Sequence, residues 1–218
     1  PWLHPILSPL SLAPASVLSL AAQLRRRSAF LLAAAAWLIG EMNLWKSLSH
    51  GFQLPLPLVL VLLLVPALVF GLAVLFTRSF LRRGSLFLAA LAFPVSWVVY
   101  EYLTEIGSPH STFGILAYTQ MNCLPIIQIA SITGIWGISF VVFLFAGTVA
   151  ALLSGAGKSA QRRALAVVVG AIVCATFLFG QWRLRSSPAA PSVAVTLMAR
   201  DLPLQVSPRP AKTALRRS

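Results

Sequence analysis

Residues 52–76 contain no Lys, Arg, Asp or Glu, and no other feature of the chain restricts its fold so tightly. A helix rises about 1.5 Å per residue, so about 20 apolar residues cross a hydrocarbon core about 30 Å thick. The pattern recurs along the chain. Residues 1–24, 126–153 and 164–182 are also free of charge, 28–45 is interrupted only by Glu41, and 86–103 only by Glu101. Of the 218 residues, 58% are hydrophobic and 10% charged, against about 25% charged in soluble domains. A core of this size cannot hide so much apolar surface from water, so lipid is the solvent. The expected fold class is an all-α membrane protein: a bundle of about six transmembrane helices over residues 1–185, with a short C-terminal tail over 186–218. Pro5, Pro9 and Pro14 make the first span the least regular. The chain has no internal repeat.

The formal charge of +13 suggests nucleic acid only until its distribution is considered. Arg25, Arg26 and Arg27, then Arg78, Arg82 and Arg83, then Lys158, Arg162 and Arg163 fill every second connection between apolar runs. The intervening connections hold Lys46 in one and no basic residue over 104–125. Alternation of this kind is a topology signal, and it places the basic connections on the cytoplasmic side. No nucleic-acid partner is expected. Pro1 and the tail then lie outside, and Trp2, Trp45, Tyr100, Tyr102 and Trp182 fall near the outer interface, where amphipathic rings prefer to sit. The basic residues of the tail, Arg183 to Arg217, oppose this orientation. Only Arg183 and Arg185 are close enough to a helix end to have force. Residues 1–24 are followed by arginines rather than preceded by them, which is the wrong polarity for a signal peptide. A start at Pro1 rather than Met implies that the natural N-terminus lies upstream.

The residues that could carry chemistry are polar groups in or beside the membrane. Glu41 and Glu101 stand in the last third of outward-running spans. Ionisable groups there are costly, and they either mark function or snorkel to the interface. Trp97 lies one helical turn before Glu101 on the same face, with Pro94 below it. The connection 104–125 is the longest between spans and adds Glu105, His110, Tyr118, Gln120 and Asn122. A lone loop histidine is more often an ordinary polar residue than a ligand. Ala130, Thr133, Gly134 and Gly137 place small residues on neighbouring helical positions, where another helix could approach closely. Neither Cys123 nor Cys174 has a His or Cys neighbour at metal-ligand spacing, and no metal site, phosphate loop or cofactor motif is present.

Three blocks carry a resemblance. Trp97-Val98-Val99-Tyr100-Glu101-Tyr102-Leu103 resembles the Trp-x-x-x-Glu helix of the apolipoprotein N-acyltransferases. Residues Gly107 to Gln120 resemble that family's external loop, which ends in Gly-Tyr-Ser-Gln or a close variant, and Leu124 to Phe140 is similar to its next helix. The resemblance implies a bacterial cytoplasmic-membrane enzyme of lipoprotein biosynthesis. Such enzymes move an acyl chain from a membrane phospholipid to the N-terminal lipid-modified cysteine of a lipoprotein substrate. They use a Glu-Lys-Cys triad in an external nitrilase-like domain and pass through a thioester. Trp97, Glu101, His110, Tyr118, Gln120 and Glu41 are then candidates for binding substrate or positioning the loop.

The departures limit what can be carried over. Ser192 to Asp201 resembles the first strand of the nitrilase-like domain, but Met198, Arg200 and Asp201 stand where the family usually has Gln and Asn. The residues that follow are too few for a domain of roughly 100 or more, so no residue of the triad can be assigned in this chain. A truncated or degenerate family member, inactive alone, is the expected identity. The alternative is a non-catalytic membrane protein that binds lipid or a partner. A transporter is disfavoured because no repeat symmetry or pair of broken mid-membrane helices is visible.

The charge pattern makes a topological prediction. After replacement of Cys123 and Cys174, a membrane-impermeant thiol reagent applied from outside should label Ser111→Cys and leave Gly157→Cys unlabelled. The reverse pattern would overturn the orientation.

Overall fold

The computed structural model describes residues 13–51, 53–107, 112 and 114–186. His110, the expected strand Val193 to Ala199 and the tail from residue 187 lie outside the described residues, as does the first half of the expected span 1–24. The described chain is helical. In order it forms α1 (Ala13–Gln23), α2 (Arg26–Glu41), α3 (Leu56–Arg82), α4 (Leu86–Gly107), α5 (Leu124–Ile127), α6 (Ala130–Thr133), α7 (Ile135–Leu153) and α8 (Ser159–Ser186). Among the described residues, four helices are long and apolar enough to cross a membrane: α3, α4, α7 and α8. The architecture is an all-α membrane bundle.

Local chemistry accounts for the helix boundaries. Pro55 precedes α3 with φ −63°, and a second proline, Pro57, follows inside the first turn, where its missing N–H costs nothing. At the other end the Ser85 N–H bonds to the Phe80 carbonyl (3.1 Å) and the Gly84 N–H to that of Leu81 (3.0 Å). Gly84 sits at φ 73°, the left-handed position this cap requires. The turn is so short that α4 must run back antiparallel beside α3. At the start of α8 the Gln161 side chain reaches back to accept from the Lys158 N–H at 3.1 Å, one half of a capping box. From Glu41 the chain keeps its helical sense as far as Gly51. Its pitch tightens to 3-10 over Met42–Leu44 and widens to a π turn over Ser47–Gly51.

The structure departs from the sequence expectation at two places. Residues 126–153, read as one apolar span, are broken. Gly134 adopts φ 71° and ψ −177°, which ends α6 and lets α7 start in a new direction. The small residues there serve this break. A Cβ at Gly137 would lie 1.8 Å from Thr133 Oγ1, so the close neighbour there is the end of α6, the turn just before α7. Second, α3 continues beyond the apolar run through Arg78, which is buried at 5% exposure. Its Nε donates to the Ala21 carbonyl at 3.2 Å and its Nη2 donates to the carbonyl of Leu24. Arg78 is therefore a donor to the end of α1, where free carbonyls and the helix dipole both favour a cation.

Between helices in lipid there is no hydrophobic driving force, and packing and polar contacts hold the bundle together. Helices α4 and α7 meet at Phe93 and Phe143, whose rings are edge-on at 5.0 Å, and at Gly147, where a Cβ would lie 3.0 Å from the Ala90 carbonyl oxygen. By contrast, α8 buries only Leu165, Val169, Thr176 and Gly180, and most of its other residues are exposed. Its C-terminal half meets the loop: a Cβ at Gly180 would lie 1.8 Å from the Pro125 carbonyl oxygen, so only glycine allows α5 and α8 to touch there.

Arg78→Ala should lower stability in detergent by about 1.5–3 kcal/mol, the usual worth of hydrogen bonds from a charged donor. Arg78→Lys, which keeps one donor, should cost less. A melting curve unchanged by the alanine substitution would show that α1 needs no such cap.

Candidate functional site

Glu101 lies on α4, six residues before the helix ends, and is 5% exposed. Its Oε1 accepts two hydrogen bonds, from Trp97 Nε1 at 3.1 Å and from the Leu116 backbone N–H at 3.0 Å. Trp97 is one helical turn back on the same face, whereas Leu116 opens the 3-10 turn Leu116–Gln120 in the following loop. The carboxylate is turned into the bundle rather than outward to the interface, and it ties that loop to the helix that precedes it. Its Oε2 is buried without a hydrogen-bond partner, as is Ser139 Oγ on α7. Ser139 is one of the polar neighbours of the Glu101 carboxyl.

Aromatic rings from four helices surround this group. The Trp97 ring centroid is 4.4 Å from that of Trp37 on α2, 5.7 Å from Phe70 on α3 and 5.7 Å from Phe143 on α7. On its own helix it lies 5.2 Å from Tyr100 and 6.4 Å from Phe93. Several of these pairs are tilted or edge-on, the geometries that favour rings by roughly 0.5–1.5 kcal/mol each beyond area burial. A tryptophan gripped in this way cannot easily move its indole N–H, so the donor to Glu101 is fixed in place.

The remaining sequence candidates divide into near and distant. Glu41, at the end of α2, is half-buried and joins Glu101 in the electrostatic neighbourhood of the Tyr100 phenol. Gln120 is buried at 1% exposure. Its Nε2 donates to Thr119 Oγ1 at 2.8 Å, and its Oε1 has no partner. Tyr118 points the other way: it is 42% exposed, with its hydroxyl 2.7 Å from Thr112 Oγ1. Glu101, Trp97 and the backbone of the turn carrying Gln120 thus come together, with Glu41 near the Tyr100 phenol and Tyr118 on the exposed surface. Sequence reasoning missed Ser139, Trp37 and the Leu116 amide. Ser139 is visible in the sequence as one of two hydroxyls, with Thr148, within the apolar run of α7. A backbone amide has no sequence signature.

The rest of the loop forms its own small core. Ile115, Ala117, Ile126 and Ile138 are buried together, with Cys123 and Trp136 packed against them, and Trp136 meets Tyr102 of α4 edge-on at 5.2 Å. Among the described residues no three His, Cys, Asp or Glu side chains converge. Cys123 is half-buried and Cys174 is exposed, and both are free thiols. This arrangement can hold a loop in one position at the end of a membrane bundle.

Fold and site together define a polytopic all-α membrane protein whose longest connection is latched to the bundle by a buried carboxylate. The chain belongs to the apolipoprotein N-acyltransferase family, since residues 1–148 match the family model described as the apolipoprotein N-acyltransferase N-terminal domain. It is similar to apolipoprotein N-acyltransferase 1 of Treponema denticola, with 32% identity over 51% of this chain and 19% of that protein. The apolipoprotein N-acyltransferase of Coxiella burnetii is 27% identical over 73% of this chain and 33% of its own length. That of Geobacter metallireducens is 44% identical over 25% of this chain and 10% of its own length. The matched stretches thus span about a third or less of these relatives. No solved structure matches the chain. It is a multi-pass bacterial membrane protein.

Two substitutions at Glu101 separate its hydrogen bonds from its charge. Glu101→Ala removes the acceptor, and hydrogen exchange at the Leu116 amide should accelerate about tenfold or more, as a lost bond of about 1–3 kcal/mol requires. Glu101→Gln retains a carbonyl oxygen and should leave most of the protection. Equal exchange in all three proteins would mean that the loop is held by its apolar core alone.

Proposed function

We propose that this chain is the membrane part of an apolipoprotein N-acyltransferase, and that its bundle positions an acyl-transfer site at the outer membrane surface. The observation that carries this reading is the Glu101 latch. Trp97, Glu101 and the turn ending in Gln120 lie within the residues matched by the family model, and they are the place where a membrane helix fixes an external loop. On this reading the acyl donor is a membrane phospholipid and the acceptor is the N-terminal lipid-modified cysteine of a lipoprotein. The bundle admits these lipids and holds the loop beside them. Covalent transfer requires an activated thiolate with a neighbouring base, which the described residues do not supply. The 218-residue chain alone is therefore proposed to be inactive. Its tail is proposed to lie on the outer side.

Residues 1–185 should replace the membrane part of an active family member and restore acylation of a diacylated lipoprotein peptide, followed as a mass increase. Glu101→Ala in that chimera should lower the rate about tenfold or more, and Glu101→Gln less. The unfused chain should give no product. A chimera that inserts and folds but stays inactive would favour a non-catalytic lipid-binding or partner-binding role. Product from the unfused chain after replacement of Cys123 and Cys174 would rule out the thioester route.

A further inference from the structure

The end of the bundle away from Glu101 gathers the nine Lys and Arg side chains of the three basic connections, whereas the described carboxylates, Glu41, Glu101 and Glu105, all belong to the opposite end. Packing brings these connections together, because Leu81, Leu86, Ala151 and Leu165 share one buried cluster with Ala22 against it. Arg78 is committed to the carbonyls of α1. The other cations meet no carboxylate among the described residues.

Two grooves open at this end. One, of about 380 Å³, has Arg26 and Arg27 at its rim and Phe30, Leu31 and Leu75 as its walls, between α2 and α3. The other, of about 360 Å³, has Arg162 and Arg163 beside Ser159, with Leu152 and Ala166 as its apolar walls, between α7 and α8. Each groove has two consecutive arginines among its lining residues and no acid; the first is lined by apolar surface alone, the stems of Arg26 and Arg27 included, and the second carries some polar surface as well. Both pairs of arginines sit near the start of a helix whose first turn carries no acidic residue. Helix dipoles already make those positions positive, so the arginines raise a potential that an anion would relieve.

We propose that the two grooves bind anionic phospholipid, with the first acyl carbons along the apolar walls and the phosphodiester met by the guanidinium groups of the arginines whose stems line them. Guanidinium forks match phosphate oxygens two at a time, and basic pockets beside membrane helices attract anionic headgroups. The apolar floor selects a lipid over free phosphate. The lack of a described carboxylate at this end leaves no acceptor for the ammonium of a zwitterionic headgroup. This inference does not depend on the acyl-transfer proposal, since the grooves stand at the end of the bundle away from the latched loop.

The test is competition on the full chain in detergent, between phosphatidylglycerol and phosphatidylcholine of the same acyl chains, read by native mass spectrometry. The expected result is two retained phosphatidylglycerol molecules per chain, preferred over phosphatidylcholine about fivefold or more. Arg26→Gln with Arg27→Gln should remove one, and Arg162→Gln with Arg163→Gln the other. Arg82→Gln with Arg83→Gln, at the same end but outside both grooves, should leave the count unchanged. If a glutamine pair lowers helix content by circular dichroism, the matching lysine pair takes its place. It keeps the charge and loses the fork, so retention should fall. Equal retention of the two lipids would overturn the proposal, as would displacement by millimolar inorganic phosphate. Loss of lipid from the Arg82/Arg83 variant equal to that from the groove variants would reduce the effect to general surface charge, and the sites would not exist.

Discussion

One carboxylate oxygen accepting two N–H groups in an apolar surround organises the loop-bearing end of this protein. An ionisable group within a membrane helix is expensive unless its hydrogen bonds are made. At Glu101 the donors are the indole of Trp97, on the same helix, and the amide of Leu116, fifteen residues along the chain. The first donor is immobilised by rings from α2, α3 and α7, so the bundle's packing determines where the carboxylate sits. The second donor belongs to the loop, so the carboxylate determines where the loop begins its turn. Rings, carboxylate and loop form a chain of dependence in which each fixes the next.

That chain continues beyond the loop. Pro125 of α5 rests on Gly180 of α8, and α8 has few other buried positions. The last long helix is thus held at its C-terminal half chiefly by a segment that Glu101 itself helps to hold. A change in the latch is therefore expected to be felt at the end of α8, although no side chain of α4 need touch it there. The cytoplasm-facing basic end of the proposed orientation is built differently. It is closed by helix caps and by Arg78, and its remaining cations face outward.

Much of this was legible in the sequence because lipid imposes a simple rule. The long apolar runs mark α3, α4 and α8 directly, and a lone acid within such a run signals a partner. Three things were not legible. The break at Gly134 falls inside an unbroken apolar stretch, and hydropathy is blind to a single residue with positive φ. Arg78 belongs to a cluster that reads as interfacial charge, and its acceptors are carbonyls more than fifty residues away. The Leu116 amide carries no side-chain signature at all. Side chains can be read from sequence, whereas the backbone groups that satisfy them emerge only when the chain has folded.

Arg78 also bears on the order in which the helices come together. Its guanidinium is buried on α3, yet both acceptors belong to α1 and the residue just past its end, and α2 lies between them in sequence. A charged group of this kind has no stable place in the bundle until those carbonyls are on hand. The contact that buries the charge is also the contact that closes the end of α1. Docking of α1 and burial of Arg78 are therefore expected to be one step, since either group taken inside alone would be left unanswered.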